Sequence, residues 1–523
     1  MNESQITSMD FTAIFDSITC PITGEVMTDP VQGNDGHTYE RSAIIRALSI
    51  KHESPMTRAH MTESDLNVNA SIRFLCDKYH QGAFGDHNRS STPPKISSDK
   101  ININHTISKN SHNKIMLTFD VDQTTLPTLE DGSVTHLSQD VVLVIDHSGS
   151  MRTPVEAKDS DGNNLENGLS IQDIVNHASK TVAKSLDNNS RLGIIIFDNR
   201  IETLMTLTLM TEMNCSNTLA KINTIKPQGQ TNLWHAIECA IKMLNDRDDK
   251  TRNGHIMALT DGAPNVSPSR GEIETLKRLR NTLNFTAPIY TFGFGYALRR
   301  GLLYELAKYA NGGNGHIPDG GMIATVFCNF LGTILSTVVL NLQLHIIYPK
   351  PVNYASNDPI MGDFAYSLDK SDTSNCTVII DIGTVQIGQS RNIIINSDIS
   401  DRNNFTYFYT YKISGQSYKS TPVTIDVSNV TVNNNDVCIN VARCFTVEML
   451  RKIINYKSIE CQQQANECFD NIIEYYKSSA LSDTNSKVVL ENLNDQVQLA
   501  VKDNQYFMKW GEFYIDQLSR SMN

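Results

Sequence analysis

The sequence predicts a multidomain chain: a small α+β module, a doubly wound α/β domain, a β-sandwich and a C-terminal helical segment. Three observations predict it. At 523 residues the chain is too long for one core. From Asp140 short apolar strands alternate with amphipathic helices, the pattern of a mostly parallel sheet covered on both faces. After about Val339 this gives way to period-two strands, and from Val441 the period becomes helical.

Taken in order, residues 1–84 alternate short apolar runs with turn residues and form the N-terminal module. Residues 85–112, rich in Pro, Ser, Asn and Lys, read as a linker. The isolated strand "KIMLTFDV" lies in 113–123 and is expected to join the sandwich, which makes the α/β domain (124–339) an insertion. In that domain "VVLVI", "RLGIIIF", "HIMALTDG" and "PIYTFGFG" are strands. The helix "IQDIVNHASKTVAKSL" carries Ile171, Ile174, Val175, Ala178, Val182 and Leu186 on one face. The sandwich (340–432) follows with "LQLHIIY", "CTVIIDIGTVQI", "RNIIINSDI", "FTYFYTYKI" and "TPVTIDV", and the helical segment occupies 433–523. Met322 to Leu344 is uncharged and long enough to span a bilayer. Its polar interruptions, and its change from helical to β-branched composition, make it buried core.

A net charge of −12 argues against nucleic acid or an anionic membrane as partner. Ten cysteines without a CxxC pair, and an N-terminus without the order of a secretion signal, predict a reduced, cytoplasmic protein. Frequent Asn and Ile fit a gene of low GC content, such as a protist's or a giant virus's. In the latter case the compartment is the host cytoplasm.

"VVLVIDHSGSM" ends its strand at Asp146 and then places Ser148 and Ser150 at alternate positions. Ligands of open α/β sheets bind beyond the carboxyl ends of strands, so these oxygens face the binding crevice. Hard oxygen donors there suit Mg2+ or Mn2+. "QGQTNLWHAI" adds Thr231 in a loop that opens a helix, and "IMALTDGAPN" ends another strand at Asp261. With these segments the chain resembles the von Willebrand factor A domain, whose metal-ion-dependent adhesion site uses a DxSxS loop, a Thr loop and an Asp loop in this order. The resemblance implies that Asp146, Ser148, Ser150, Thr231 and Asp261 hold the ion. It also implies an open coordination position for an acidic side chain of a protein substrate or adaptor. Neutral hydroxyls leave residual positive charge on such an ion, which favours that ligand. His147, an x position in the motif, is expected to point away.

Near the N-terminus, "TCPITGEVMTDPVQGNDGHTYERSAIIRAL" and "SPMTRAHMTESDLNVNASIRFLCDKY" contain only Cys20 and Cys76 and no paired histidines, so no zinc site can be built. CPI, M-x-DPV, GHTYER, P-x-TR and N-x-x-[IL]R resemble the U-box, a RING relative that replaces both zinc ions with hydrogen bonds and salt bridges. The resemblance implies a ubiquitin ligase that recruits a ubiquitin-conjugating enzyme through Ile22 in the first loop, the helix position of Ala47, and Pro55 in the second loop. Arg58 stands where a cation bridges that enzyme and ubiquitin. The family often has Trp or His at the position of Ala47, and alanine removes contact area. The alternative is a non-catalytic binding scaffold that keeps the fold and uses the A domain for metal-dependent protein–protein interaction. Tyr39, Leu48 and Phe74 are expected in the core, and Glu40 and Arg41 in structural ion pairs. "KWGEFY" at 509–514 is similar to the last helix of eukaryotic proteins joining a ring-type ligase module to an A domain.

Overall fold

In the computed structural model the described residues are 18–77, 101–126, 137–317, 323–349, 359–395 and 404–521. Positions 24, 59, 70, 71, 74, 112, 113, 155, 156, 159–163, 166–169, 295–297, 299, 300, 373 and 480–483 are excepted. Residues 85–100 of the predicted linker and the Phe74 core assignment lie outside them.

The N-terminal module pairs β1 (Pro30–Gln32) with β2 (Thr38–Glu40), leads into α1 (Arg41–Ile50), and returns to pair β3 (Asn67–Val68) with β1. Its side chains Ile18, Cys20, Val31, Tyr39, Ile44, Leu48 and Met61 are buried together. Next come β4 (Ile103–Lys109) and β5 (Ile115–Val121), an antiparallel pair. The linker assignment to 112 is corrected here. Ile101 and Ile103 are buried and Ile107 packs on the same core, an alternation that intervening Asn, His and Thr disguise.

The α/β domain begins with β6 (Gln139–Asp146). Two short strands, β7 (Ala157–Lys158) and β8 (Asn164–Leu165), pair within the insertion after Met151. Then come α2 (Ile171–Ser185), β9 (Arg191–Phe197), β10 (Ile201–Leu209), α3 (Glu212–Ile222) and α4 (Leu233–Asn245). They are followed by β11 (Asn253–Thr260), α5 (Glu272–Leu283), β12 (Ile289–Phe294), α6 (Leu302–Tyr309), β13 (Asn314–Ile317) and α7 (Ile323–Ser336). The sheet order is β10-β9-β6-β11-β12-β13, parallel except for β10 at the edge. Every residue of β6 and β11 is buried, as a central parallel strand requires. Val141, Leu143 and Ile145 pack with Val175 and Val182 of α2, whereas Val142 and Val144 pack with Ile237 and Ile241 of α4. The strand's alternation thus supplies one face to each helical layer.

Helix α7 runs without a break into β14 (Thr337–Pro349). The uncharged stretch is therefore a buried helix joined to a sheet strand, and among the described residues no helix is long and apolar enough to cross a membrane. Then come β15 (Ala365–Asp369), β16 (Asn375–Gln386), β17 (Arg391–Ile395), β18 (Asn404–Ile413), β19 (Gln416–Lys419) and β20 (Val423–Asp426); one sheet runs in the order β15-β16-β14-β18-β19, with β20 on β18. Strand β17 pairs instead with β5 in a second sheet, β17-β5-β4. Leu117 and Phe119 of one sheet meet Leu344, Ile380 and Tyr407 of the other in a common core. Two strands that precede the α/β domain thus complete the sandwich that follows it. The helical segment opens with α8 (Asn434–Ser458) and α9 (Gln462–Ser478) and continues to residue 521. Cys444 and Cys468 are buried in its packing, and the described cysteines are all free.

Candidate functional sites

Strand β6 delivers Asp146 to the carboxyl edge of the sheet. Its Oδ1 accepts the amide of Ser148 at 2.8 Å and its Oδ2 the hydroxyl of Thr260, the last residue of β11, at 2.5 Å. These bonds turn the chain so that the Ser148 and Ser150 hydroxyls lie 3.1 Å apart, and Ser150 donates to Asp261 Oδ1 at 2.7 Å. The Thr231 loop is held from both sides. Gly149 donates to the Gly229 carbonyl at 3.0 Å, while Thr231 and Asn265 exchange bonds of 2.9 Å. Gly229 adopts φ +70, and a Cβ there would lie 2.6 Å from Asp198 Oδ2, so the loop passes only as glycine. A Cβ on Gly262 would lie 3.5 Å from Thr231 Oγ1 and 3.7 Å from Ser150 Oγ, so both hydroxyls reach toward one point.

All five predicted residues therefore converge. Ser148, Ser150, Thr231 and Asp261 line a cleft of about 460 Å3 together with Ile171 and Phe294, and Asp146 stands behind them. His147 turns away: its Nδ1 meets the Lys226 carbonyl at 3.1 Å. Thr260 and Asn265, which position Asp146 and Thr231, were not anticipated. Both act through contacts distant in sequence.

Burial pushes the Asp146 carboxyl up to about 6 against the hydrogen bonds from Thr260 and Ser148, and the nearby Asp261 charge adds to the rise. Burial also raises Asp261. No cation offsets either carboxylate among the described residues. Two buried carboxylates without a counter-charge, joined to three hydroxyls, are an all-oxygen donor set that fits a hard divalent cation. Among the described residues no group of three or more His, Cys, Asp or Glu is placed to hold a metal, this crevice included, since three of its five donors are hydroxyls.

The N-terminal module presents a second surface. Its first loop closes through Cys20 N to Glu25 O at 2.8 Å and leaves Ile22 38 % exposed. In the second loop Ser54 donates to Asp35, which also accepts from Tyr39 at 2.5 Å, while Ser54 Oγ accepts the amides of Met56 and Thr57 at 3.1 and 2.9 Å. This clamp holds up an exposed Pro55, a Met56 that is 49 % exposed, and Arg58 at φ +60. Ala47 is half-buried and packs on the core, leaving little side chain at the groove. Tyr39 and Leu48 are buried. Arg41 and Arg73 each pair with Asp29 at 2.8 Å. Glu40, expected in an ion pair, instead accepts the amides of Thr28 and Asp29 at 2.7 and 3.1 Å, because the pairing of Pro30 with Glu40 sets its carboxylate beside the turn that enters β1.

A small α+β module braced by hydrogen bonds, followed by a doubly wound α/β domain with an oxygen-lined crevice, defines the class of fold. Residues 14–83 match the U-box domain family and residues 141–263 the von Willebrand factor type A domain family. The chain therefore joins a U-box domain to a von Willebrand factor A domain.

It is similar to the WD repeat, SAM and U-box domain-containing protein 1 of Danio rerio, 42 % identical over 59 residues, which are 11 % of this chain and 12 % of that one. It is also similar to the E3 ubiquitin-protein ligase SPL11 of Oryza sativa subsp. japonica, 33 % identical over 101 residues, or 18 % and 15 % of the two chains. Thus the chain spans under a sixth of the length of these relatives. Among solved structures, a von Willebrand factor type A protein from Catenulispora acidiphila aligns over 79 % of this chain and 95 % of its own, with a TM-score of 0.54 and 12 % identity. That likeness concerns the fold.

Proposed function

We propose that the chain is a ubiquitin ligase whose U-box recruits a ubiquitin-conjugating enzyme and whose A domain captures a protein substrate or adaptor through a metal-dependent contact with an acidic side chain. The observation that carries the reading is the exposure of apolar Ile22, on a first loop closed between Cys20 and Glu25, and of Met56, on a second loop that the Asp35–Ser54 clamp holds and that also carries Arg58. Such a surface supplies no nucleophile. It accelerates transfer by orientation, since holding a thioester in one attack geometry removes an entropic cost from the barrier. Ile22, Met56 and Pro55 would lose water against the conjugating enzyme, and Arg58 would hold ubiquitin's position.

In the A domain, Ser148, Ser150 and Thr231 would hold Mg2+ or Mn2+, with Asp146 and Asp261 supplying the negative charge. The ion when bound would provide an open position that an acidic side chain fills. The backbone bonds at Gly149, Gly229 and Asn265 keep the three loops in register for that contact. Ala47 favours a second reading, a scaffold that binds conjugating enzymes without activating them, because it offers little contact area on α1. The test of substrate capture is a pull-down with the full chain in Mg2+ and in EDTA. Partners retained only in Mg2+, and lost with Thr231→Ala, are expected; an identical set of partners under all three conditions would contradict the A-domain role.

A further inference from the structure

A cavity of about 550 Å3, with charged side chains set in a largely apolar wall, lies where the A domain, the sandwich and α8 meet, away from both surfaces described above. Lys308, Asn311 and Thr333 line it from the A domain, Gln389 and Arg391 from the sandwich, and Arg451 from α8. Its two carboxylates are engaged. Asp363 pairs with Lys308 and with Arg451, and Asp381 accepts from Asn311 Nδ2 at 3.0 Å.

Arg391 has only neutral partners among the described residues. Its Nε donates to the Thr384 carbonyl at 3.0 Å and one terminal nitrogen to Gln386 Oε1 at 2.8 Å. Across the packed interface stands a second arginine, Arg443 of α8, one turn beyond Asn440, whose Oδ1 accepts from Asn392 at 3.2 Å. The Arg443 Nε is buried without a hydrogen-bond partner among the described residues. Burial depresses the pKa of Arg391, and the like charge of Arg443 adds to that effect. Arg391 has no ion pair among the described residues, and the cations Lys308, Arg391 and Arg451 outnumber the two carboxylates on the cavity wall, an imbalance that an anion relieves. The planar donors of arginine suit a tetrahedral dianion. The cavity has the size of a small-molecule site.

We propose that this junction binds a small phosphorylated molecule, whose phosphate is held by Arg391 on the cavity wall with Arg443 behind it as the second positive charge. A ligand there touches all three units and fixes how the A domain sits on the sandwich. The test uses the full chain in EDTA, which keeps phosphate away from any cation at the A-domain face, with inorganic pyrophosphate as the probe and chloride at matched ionic strength as the control. Calorimetric titration is expected to show saturable one-to-one binding that weakens at least tenfold in Arg391→Gln and in Arg443→Gln. The second variant leaves the bonds of Arg391 to Thr384 and Gln386 intact, so its effect is separable from misfolding. Binding no stronger than chloride's, or an affinity unchanged in Arg443→Gln, overturns the proposal.

Discussion

Consider Mg2+ added to the chain at two pH values. Without a cation, the Asp146 carboxyl titrates near 6 instead of its ordinary 3.8. That gap of roughly two units corresponds to about 3 kcal/mol of disfavoured ionisation. A carboxyl raised on folding contributes stability below its unfolded pKa and loses it as pH rises through the folded value. The metal-free A domain should therefore melt higher at about pH 5 than at about pH 7.5. Mg2+ at about 100 times its dissociation constant adds about 2.7 kcal/mol, or roughly 5–10 °C for a domain of this size. At about pH 5 roughly nine-tenths of Asp146 is protonated, affinity falls about tenfold, and the gain is about halved. Asp146→Asn keeps an acceptor for Ser148 N and offers Thr260 a donor, so it should fold and show almost no gain. The assay is thermal unfolding followed by fluorescence of the buried Trp234 in a Trp510→Phe background, since the chain has two tryptophans. Equal gains at both pH values, or a full gain in Asp146→Asn, would refute the reasoning.

Three other perturbations follow from the same contacts. Asp140 is fully buried between Arg191 at 2.6 Å and Arg247 at 3.1 Å; Asp140→Ala should cost about 3–5 kcal/mol in urea unfolding, and a loss below about 1 kcal/mol would show the pair to be dispensable. Ser54→Ala removes the hub of the second U-box loop, so amide exchange at residues 54–58 should accelerate and the domain should lose about 1–3 kcal/mol; unchanged exchange would mean the loop is held otherwise. Gly229→Ala forces a side chain against Asp198 in a left-handed conformation, with an expected cost of about 1–3 kcal/mol and weaker Mg2+ binding by titration; full Mg2+ affinity would separate this loop from the metal face.

Features encoded by neighbouring residues were legible in the sequence. Asp146, Ser148 and Ser150 belong to one turn, and the five aliphatic residues before them declare a buried strand. Thr231, in a loop that opens a helix, and Asp261, at the end of an apolar strand, could be placed in the site through the resemblance to the A-domain motif. The change from helix to strand within Met322 to Leu344 could also be read, since β-branched residues gather in its second half. Long-range contacts were hidden. Asn265 meets Thr231 across 34 positions, and Thr260 bonds to Asp146 across 114. Asp35 accepts from Ser54 across 19 positions, a contact that no local pattern announces. Strand β4 reads as linker because its apolar alternation is diluted by Asn, His and Thr, and the sheet it edges takes its third strand, β17, from beyond a domain some 200 residues long.

The most direct measurement of the central claim is single-turnover discharge of ubiquitin from a loaded conjugating enzyme onto free lysine, with and without the full chain, across a panel of such enzymes. The account predicts faster discharge with at least one of them, a large loss in Ile22→Ala, and a loss without weaker enzyme binding in Arg58→Ala. Discharge at the uncatalysed rate with every enzyme, including those that bind the chain, would contradict it and leave the scaffold in its place.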